Sequence, residues 1–348
     1  MSNKEDLYED SGIKRDLKVA LIILNKDNEK GLSKTLESLH NQSYLPCKYF
    51  DIFIMDGGSR DRSKEVALEF SKKIPCIYFI EQKVKGGTGP ARREIIDLLR
   101  EKDYQLIIWG DSENEYHSGY IESIVNRYLR ERPRISQSTR IILSGRSVVK
   151  KQGIWSRFFY WYHGYHQIFP IGVGDRHAPG NNKAEEISIY NLFNYPPCSR
   201  SEDFIFSYQI YKRHRNKVLY LHEKNAVVFV SMPRSLKEII SWQRNRVKGL
   251  VECSRYIRYA YPPDLPYWTG FLLYNILLPL LAIITQSAVA GIFYLFTLLI
   301  GWIFLYMRGR TCLEEIDLLS GLTGYIGMIL HAFFTLFYSL YYITKLRD

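Results

Sequence analysis

The chain has 348 residues, of which 46% are hydrophobic and 24% are charged. This balance excludes a wholly disordered polymer, and the length suits two domains or one domain with a membrane anchor. The net charge of +11 favours an acidic partner such as nucleic acid, anionic lipid or a phosphorylated substrate. Five scattered cysteines without metal-binding spacing favour free thiols in a reducing compartment over a disulfide framework.

Strand and helix patterns alternate through the first third of the chain. Residues 1–16 are densely charged and are predicted to form a disordered tail. Buried strands are expected at 17–24, 50–55, 76–80 and 105–109. Amphipathic helices are expected between them, at 30–42, 61–73 and 90–99. This alternation predicts an α/β domain with a doubly wound, mostly parallel sheet, whose ligands bind beyond the carboxyl ends of the strands.

A glycine-containing turn, Asp56-Gly57-Gly58-Ser59, follows the second predicted strand. The two glycines let the backbone turn sharply and approach a ligand. The Asp56 carboxylate can then accept a hydrogen bond from a nucleotide base or a ribose. A plain turn with a capping aspartate remains the alternative, and the motif alone does not separate the two.

A glycine-rich segment at 85–92 opens the third predicted helix and ends in Ala91-Arg92. Free backbone amides at a helix start, together with Arg92 and Arg93, can hold phosphate oxygens. A flexible loop with solvated arginines is the alternative. The segment lacks the Gly-Lys-Ser/Thr sequence of a Walker loop.

Two carboxylates, Asp111 and Glu113, follow the fourth predicted strand. Oxygen ligands of this kind suit Mg²⁺ or Mn²⁺, which can bridge a diphosphate. A solvated acidic loop is the alternative interpretation.

A third pair of carboxylates, Glu202 and Asp203, precedes a predicted helix at 204–213. Acidic residues at a helix start are ordinary capping residues, so this pair carries no functional weight by itself.

A basic amphipathic helix is predicted at 235–259. Its interleaved apolar and basic residues indicate a helix that lies on anionic membrane lipids. Nucleic-acid binding is the rival interpretation, and the position of this segment just before a long apolar region argues against it.

Residues 265–307 contain no charged side chain, and neither do residues 318–344 apart from His331. Because one span needs about 20 residues, membrane helices are expected at 267–285, 288–307 and 318–344. Flanking arginines predict a multi-pass protein of the cell membrane with residues 1–264 on the cytoplasmic side, although Lys345 and Arg347 then lie outside. His331 is expected to hydrogen-bond between helices, with a polar pathway as the alternative.

The order of these motifs, followed by Gln243-Arg244-Asn245-Arg246-Val247 and the membrane segments, resembles the family 2 glycosyltransferases with a GT-A fold. The membrane-attached, synthase-like members are the most similar. The resemblance covers residues 17–250 by motif and the C-terminal part by architecture. It implies a Rossmann-like nucleotide-sugar-binding domain over 17–232, an interface segment over 233–264, and a membrane domain over 265–348.

The resemblance also implies roles for individual residues on the donor side. Asp56 would bind the nucleotide base, and Arg92 would contact the donor. The family's DxD motif corresponds to Asp111-Ser112-Glu113, in which Asp111 and Glu113 would bind a divalent metal and, through it, the donor.

On the acceptor side, the resemblance makes Asp203 the catalytic base, with Glu202 as the next choice. Gln243, Arg244 and Arg246 correspond to the QxxRW motif and would help to hold the donor diphosphate. The segment 180–183 is similar to the family's acceptor-side segment.

Three positions depart from the family pattern. Gly57 replaces a second aspartate, which leaves the base specificity open. Glu113 replaces an aspartate of the metal-binding motif. Val247 replaces a tryptophan, which removes an aromatic wall from the acceptor site and argues against a long polysaccharide acceptor.

These motifs predict inverting transfer of a sugar from a nucleotide-sugar donor, with UDP-sugars as the first expectation, to a hydroxyl of a lipid-linked or saccharide acceptor. A metal and arginines would neutralise the leaving diphosphate, and Asp203 would deprotonate the acceptor. Three membrane helices are too few for a polysaccharide channel, which predicts one or a few additions. The alternatives are a polyprenyl-phosphate glycosyltransferase, a nucleotidyltransferase, and a non-catalytic membrane-attached scaffold on a decayed GT-A fold.

Overall fold

The computed structural model describes residues 17–150, 153–163, 178–312 and 317–345. The charged tail predicted at 1–16 lies outside the described residues.

The first part of the domain repeats a strand–helix unit three times and ends in a fourth strand. The strands pair in parallel in the order β3-β2-β1-β4. Every boundary falls within two residues of the sequence prediction. In chain order the elements are β1 (Val19–Asn25), α1 (Glu29–His40), β2 (Asp51–Asp56), α2 (Ser63–Ser71), β3 (Ile77–Glu81), α3 (Thr88–Glu101) and β4 (Leu106–Asp111).

The second part of the domain completes a mixed sheet of eight strands in the order β3-β2-β1-β4-β7-β6-β8-β5. Strand β7 runs antiparallel to both of its neighbours, and β6 and β8 are parallel. Among the described residues, four of the seven strand pairs are parallel, as predicted for a mostly parallel sheet, and the three antiparallel pairs all involve β7 or β5. The elements are β5 (Glu115–Tyr116), α4 (Tyr120–Glu131), β6 (Arg140–Val149), α5 (Ile154–Arg157), α6 (Tyr160–His163), β7 (Lys183–Glu186), α7 (Glu202–His214) and β8 (Val218–Val230).

The sheet is covered on both faces by apolar side chains. Alternate residues of β1 point to opposite faces, so Leu21 and Ile23 join one buried cluster while Ala20 and Ile22 join the other. Both layers are almost fully buried. The carboxyl ends of the central strands are thereby held at one edge, where Asp56 and Asp111 lie.

A long amphipathic helix, α8 (Leu236–Tyr256), follows the sheet. The Ser235 hydroxyl caps it by accepting from the Glu238 amide at 3.3 Å. One face buries Ile239, Val247 and Leu250, while Lys237, Arg244 and Lys248 are exposed. The helix predicted at 235–259 is present with this polarity.

Three C-terminal helices are long and apolar enough to cross a membrane. They are α9 (Leu265–Ile284), α10 (Ala288–Cys312) and α11 (Leu318–Lys345). A tight turn at Gln286 and Ser287 joins the first two, as predicted. Helix α10 exposes nearly all of its apolar side chains, whereas α11 packs against both α8 and α9.

The cysteines differ from the expectation of free thiols. The structure joins Cys47 to Cys76 and Cys198 to Cys253, with Cα–Cα distances of 5.3 and 5.4 Å. Both pairs are distant in sequence, and the fold brings them together. Scattered spacing therefore gave no sign of them.

Gly327 of α11 packs tightly against the backbone at Phe158. A Cβ at Gly327 would lie 1.7 Å from the Phe158 carbonyl oxygen, whereas a Cβ at Gly270 of α9 meets nothing within 4 Å. We expect Gly327→Ala to lower the stability of the solubilised protein by about 1–3 kcal/mol, because backbone must move to admit the methyl group. Unfolding in detergent measures this, with Gly270→Ala as the control. Equal stability of the two variants would contradict the packing described.

Candidate active site

A cavity of about 1310 Å³ opens at the carboxyl ends of β1, β2 and β4. One end is lined by Asn25, Met55 and Asp111, and the other reaches Trp268 of α9 and His331 of α11. Open α/β sheets bind ligands at this edge. Because small-molecule sites usually enclose roughly 300–1,000 Å³, the cavity has room for two ligands side by side.

Asp111 and Glu113 line the sheet end of this cavity. Burial raises the pKa of Asp111 to about 6, and the Arg92 guanidinium opposes that shift. Burial is the largest cause that raises the pKa of Glu113 to about 7, and the Asp111 charge is the second. The Glu113 side chain nevertheless borders the open cavity. A bound cation would relieve both effects, because opposite charge favours the ionised carboxylates.

The donor set of this acidic pair fits a hard divalent cation. Carboxylate oxygens are ligands that Mg²⁺ and Mn²⁺ accept. Within the part of the chain that the structure describes, His, Cys, Asp and Glu residues form no cluster of three or more that could hold a metal. The pair therefore suits a cation that takes its remaining ligands from water and a diphosphate.

Arg92 of α3 is buried in the cavity wall. Its Nε donates to Glu202 at 2.7 Å, and its Nη2 donates to the Gly180 carbonyl at 2.8 Å. The guanidinium also packs 4.4 Å from the ring centre of Trp109. Burial lowers the pKa of Arg92, but the charges of Glu202, Tyr195, Asp111 and Asp203 together outweigh burial and hold that pKa above its usual value. Its Nη1 has no hydrogen-bond partner among the described residues, so it can donate to a bound anion.

Glu202 and Asp203 begin α7 and face different surroundings. Glu202 is buried and accepts from Arg92 and, at 2.5 Å, from the Thr88 hydroxyl. Asp203 is partly exposed to the cavity, and its oxygens accept from the amides of Gly180 and Phe204, both at 2.9 Å. Glu202 is therefore buried in the protein interior, whereas Asp203 borders the cavity.

Asp56 lies beneath the same edge of the sheet but is 3% exposed. One oxygen accepts from Asn25 Nδ2 and the Ser59 hydroxyl, and the other accepts from the amides of Gly58 and Ser59. Its neighbours Met55 and Gly57 line the cavity instead. The geometry gives Asp56 a role in shaping the turn, and its predicted contact with the base stays a prediction.

The residues of the Gln-x-x-Arg segment separate onto two faces of α8. Gln243 bonds to His331 Nδ1 at 2.9 Å, and Arg246 donates to Gln243 and to Thr335. Arg246 borders the cavity. Arg244 points away from it and donates to Tyr342 at 3.0 Å. The structure thus brings Arg246 to the cavity and does not bring Arg244 there. His331 forms the bond between helices that was expected.

The predicted acceptor-side segment at 180–183 contributes Gly180 and Asn181 to the cavity wall. A Cβ at Gly180 would lie 2.8 Å from both Arg92 Nη2 and Asp203 Oδ2. Only a residue without a side chain lets the backbone pass between these two groups. Val247 is buried against Val251 and Tyr342, so an aromatic side chain at this position would face α11 and not the cavity.

Sequence reasoning missed the membrane end of the cavity. Aromatic residues and one carboxylate line it, namely Trp161, Tyr162, Trp242, Tyr267, Trp268 and Asp264. These residues come from three separate segments, so no local motif marks them. The one available signal was Asp264 itself, the last charge before the long apolar run.

The buried pair of Arg92 and Glu202 generates a stability prediction. We expect Glu202→Gln to lower the free energy of unfolding by about 3 kcal/mol, because it leaves a buried guanidinium without its counter-charge. The exposed pair of Lys64 and Glu81 provides the control, because its N–O distance of 2.8 Å is close to the 2.7 Å of the buried pair. Glu81→Gln should cause no measurable change. Denaturation in detergent tests this, and equal losses in the two variants would refute it.

The chain is similar to known glycosyltransferases over part of its length. Residues 19–180 match the model of glycosyl transferase family 2. A poly(ribitol-phosphate) beta-glucosyltransferase of Bacillus spizizenii is 28% identical over 99 residues, which is 28% of this chain and 15% of that protein. A dolichyl-phosphate beta-glucosyltransferase of Trichomonas vaginalis is 32% identical over 80 residues, 21% of this chain and 24% of that protein. The aligned part is less than a quarter of either relative.

A solved structure agrees with the fold over most of the chain. The mannosyltransferase PcManGT from Pyrobaculum calidifontis, in complex with GDP-Man and Mn²⁺, matches with a TM-score of 0.56 at 15% identity. The match covers 91% of this chain and 86% of that one. Residues 19–180 are therefore similar in sequence to glycosyl transferase family 2, and the described chain has a fold of the GT-A type.

Proposed function

We propose that this glycosyltransferase is membrane-bound and inverting, and that it transfers a sugar from a nucleotide-sugar donor to a hydroxyl of a lipid-linked or saccharide acceptor. A UDP-sugar is the expected donor. The observation that carries the proposal is the single cavity, which joins the carboxylates Asp111 and Glu113, the exposed Asp203 and the helices α9 and α11. A donor and an acceptor can therefore bind next to each other in this one cavity.

The sheet end of the cavity suits the donor. Asp111 and Glu113 would hold a divalent metal, which when bound neutralises charge on the leaving diphosphate. Glu202 and Gly180 fix the Arg92 guanidinium, and its Nη1 has no partner among the described residues. Arg92 can therefore donate from Nη1 to the same diphosphate without reorganising. Arg246 is engaged with Gln243 and Thr335, and it supplies positive charge at the wall.

Asp203 is the group best placed to take the acceptor proton. It borders the cavity, and the amides of Gly180 and Phe204 orient its two oxygens. Each carboxylate oxygen can accept more than one hydrogen bond, so an acceptor hydroxyl can bind there as well. The base and the sugar would lie on opposite sides of the anomeric carbon, which gives inversion.

The membrane end of the chain suits an acceptor anchored in lipid. We infer a division into a catalytic domain at 17–232, an interface segment at 233–264 with exposed cations facing anionic lipids, and a membrane domain from 265 onward. The arginines that flank α9 and α10 support a cytoplasmic location of the catalytic domain. The described residues contribute three apolar helices, and α11 packs on α8, so the described helices are too few to enclose a sugar channel.

A phosphate acceptor is the second candidate, because one of the relatives is a dolichyl-phosphate glucosyltransferase. The other relative is a poly(ribitol-phosphate) glucosyltransferase, so the two names point to different acceptors. A phosphate is already ionised and needs no base, which favours a hydroxyl acceptor where Asp203 is present. A non-catalytic scaffold would show no turnover of any nucleotide-sugar.

Asp203→Asn tests the base. We expect kcat to fall at least ~100-fold, because the amide keeps the shape but takes no proton. The KM for the donor should barely change. Asp97→Asn, at an exposed position on α3, is the control. If Asp203→Asn retains full turnover, Asp203 is only a residue of the helix start and the base lies elsewhere.

Removal of divalent metal should abolish transfer, and added Mn²⁺ or Mg²⁺ should restore it. Asp111→Ala and Glu113→Ala should each weaken nucleotide binding, since each removes an oxygen ligand. Glu37→Ala, on the exposed face of α1, should leave binding unchanged. Calorimetry with the nucleoside diphosphate and Mn²⁺ measures this. Full activity in the presence of a chelator would overturn the metal assignment.

The size of the product tests the acceptor. After long incubation with donor and extracted membrane lipids, we expect a discrete glycolipid that extracts into organic solvent. Chromatography separates this product from polymer. A ladder that extends to high polymer would contradict a lipid-linked acceptor of one or a few additions.

A further inference from the structure

The membrane end of the cavity forms an aromatic chamber, made by Trp161, Tyr162, Trp242, Trp268 and His331. The His331 ring lies at its centre, 5.3 Å from the ring of Trp161, 5.6 Å from that of Tyr162 and 4.6 Å from that of Trp268. Tyr162 and Trp242 are 4.7 Å apart. The chamber is therefore built from α6, α8, α9 and α11 together.

Asp264 adds one carboxylate to the chamber wall. Its Oδ2 accepts from Trp268 Nε1 at 3.1 Å and lies 4.0 Å from Arg246 Nη1. Its Oδ1 is buried and has no hydrogen-bond partner among the residues described. Leaving a buried carboxylate oxygen unpaired is costly, so a donor from a ligand would be favourable there.

We propose that the aromatic chamber binds a sugar ring of the acceptor and that Asp264 Oδ1 accepts a hydrogen bond from one of its hydroxyls. This deepens the proposed function and rests on it. The apolar faces of a sugar ring gain contact with aromatic rings, while its hydroxyls need acceptors at the edge. Aromatic walls with one free acceptor supply both requirements.

The position and charge of the chamber favour a lipid-linked sugar over a bare lipid phosphate. The three guanidinium nitrogens of Arg246 are directed at Gln243, Thr335 and Asp264, so this cation is already engaged. Asp264 itself repels a phosphate. Two walls of the chamber belong to apolar helices, α9 and α11, which places a lipid-attached ring within reach.

The chamber also adjoins the proposed base. Burial raises the pKa of Tyr162 to about 12, Arg246 opposes this shift, and both Asp203 and Asp264 add to it. Tyr162, Asp203 and Asp264 all line the same cavity. A ring held by Asp264 can present another hydroxyl toward Asp203.

The test uses the full chain in lipid nanodiscs and a set of octyl glycosides of glucose, galactose, mannose and N-acetylglucosamine. Tryptophan fluorescence reports binding without any turnover. We expect saturable binding of at least one glycoside, weakened ~10-fold or more by Asp264→Asn. Asp317→Asn is the matched control, because Asp317 also precedes a membrane helix but lies outside the cavity wall.

Three outcomes would overturn the proposal. These are no binding of any octyl glycoside, equal affinity in Asp264→Asn and the parent protein, and farnesyl phosphate binding that strengthens in Asp264→Asn. Thermal unfolding shows whether Asp264→Asn is folded. Should it unfold, Trp242→Leu replaces it and should weaken glycoside binding.

The same preparations separate this proposal from the proposed function. With extracted lipids as acceptor, Asp264→Asn should raise the acceptor KM while the donor KM changes little. If glycosides bind in a way that depends on Asp264 but no nucleotide-sugar is turned over, the sugar-binding chamber is supported and the proposed enzymatic function is refuted. If Asp264→Asn turns over donor with an unchanged acceptor KM, the proposed sugar-binding role of the chamber is refuted and the proposed enzymatic function stands.

Discussion

The buried ion pair between Arg92 and Glu202 is the contact on which the rest of the site depends. Both side chains are nearly inaccessible to solvent, at 3% and 4% exposure. Charges removed from water persist only when they are paired and hydrogen-bonded. The ion pair holds α3 against α7, and the Gly180 carbonyl accepts a hydrogen bond from the same guanidinium. Asp203, the next residue after Glu202, is then held at the cavity wall by the Gly180 amide.

A second set of polar contacts joins the catalytic domain to its apolar helices. Gln243 reaches His331, and Arg246 reaches Thr335, both across buried surfaces. Hydrogen bonds in such surroundings are specific, because an unmade bond leaves a buried polar group unsatisfied. They fix how α8 and α11 face each other. The cavity wall that α8 and α11 form together is therefore a defined surface.

The sequence predicted the elements whose physics is local. Strands β1 to β4 alternate with amphipathic helices, so their order and the position of Asp111 at a strand end followed directly. Strand β7 was missed because its charged residues resemble those of a loop. In the fold these charged side chains are buried, which the neighbouring strands and the ion pair between Lys183 and Glu185 make possible. The Gln-x-x-Arg match gave Gln243, Arg244 and Arg246 the same predicted role, whereas helical spacing puts Gln243 and Arg246 on one face and turns Arg244 away. The aromatic chamber and the cysteine pairs depend on tertiary contacts alone.

The contacts along α8 and α11 bear on which side of the bilayer the end of the chain occupies. Gln243 meets His331, and Arg255 donates to the Ile343 carbonyl, so the two helices run side by side in the same direction. Whatever depth α8 takes, the second half of α11 shares it. An α8 among the headgroups would hold the Lys345 end of α11 at a similar depth. The depth of α11 in a bilayer thus depends on its contacts with α8 as well as on its own apolar length.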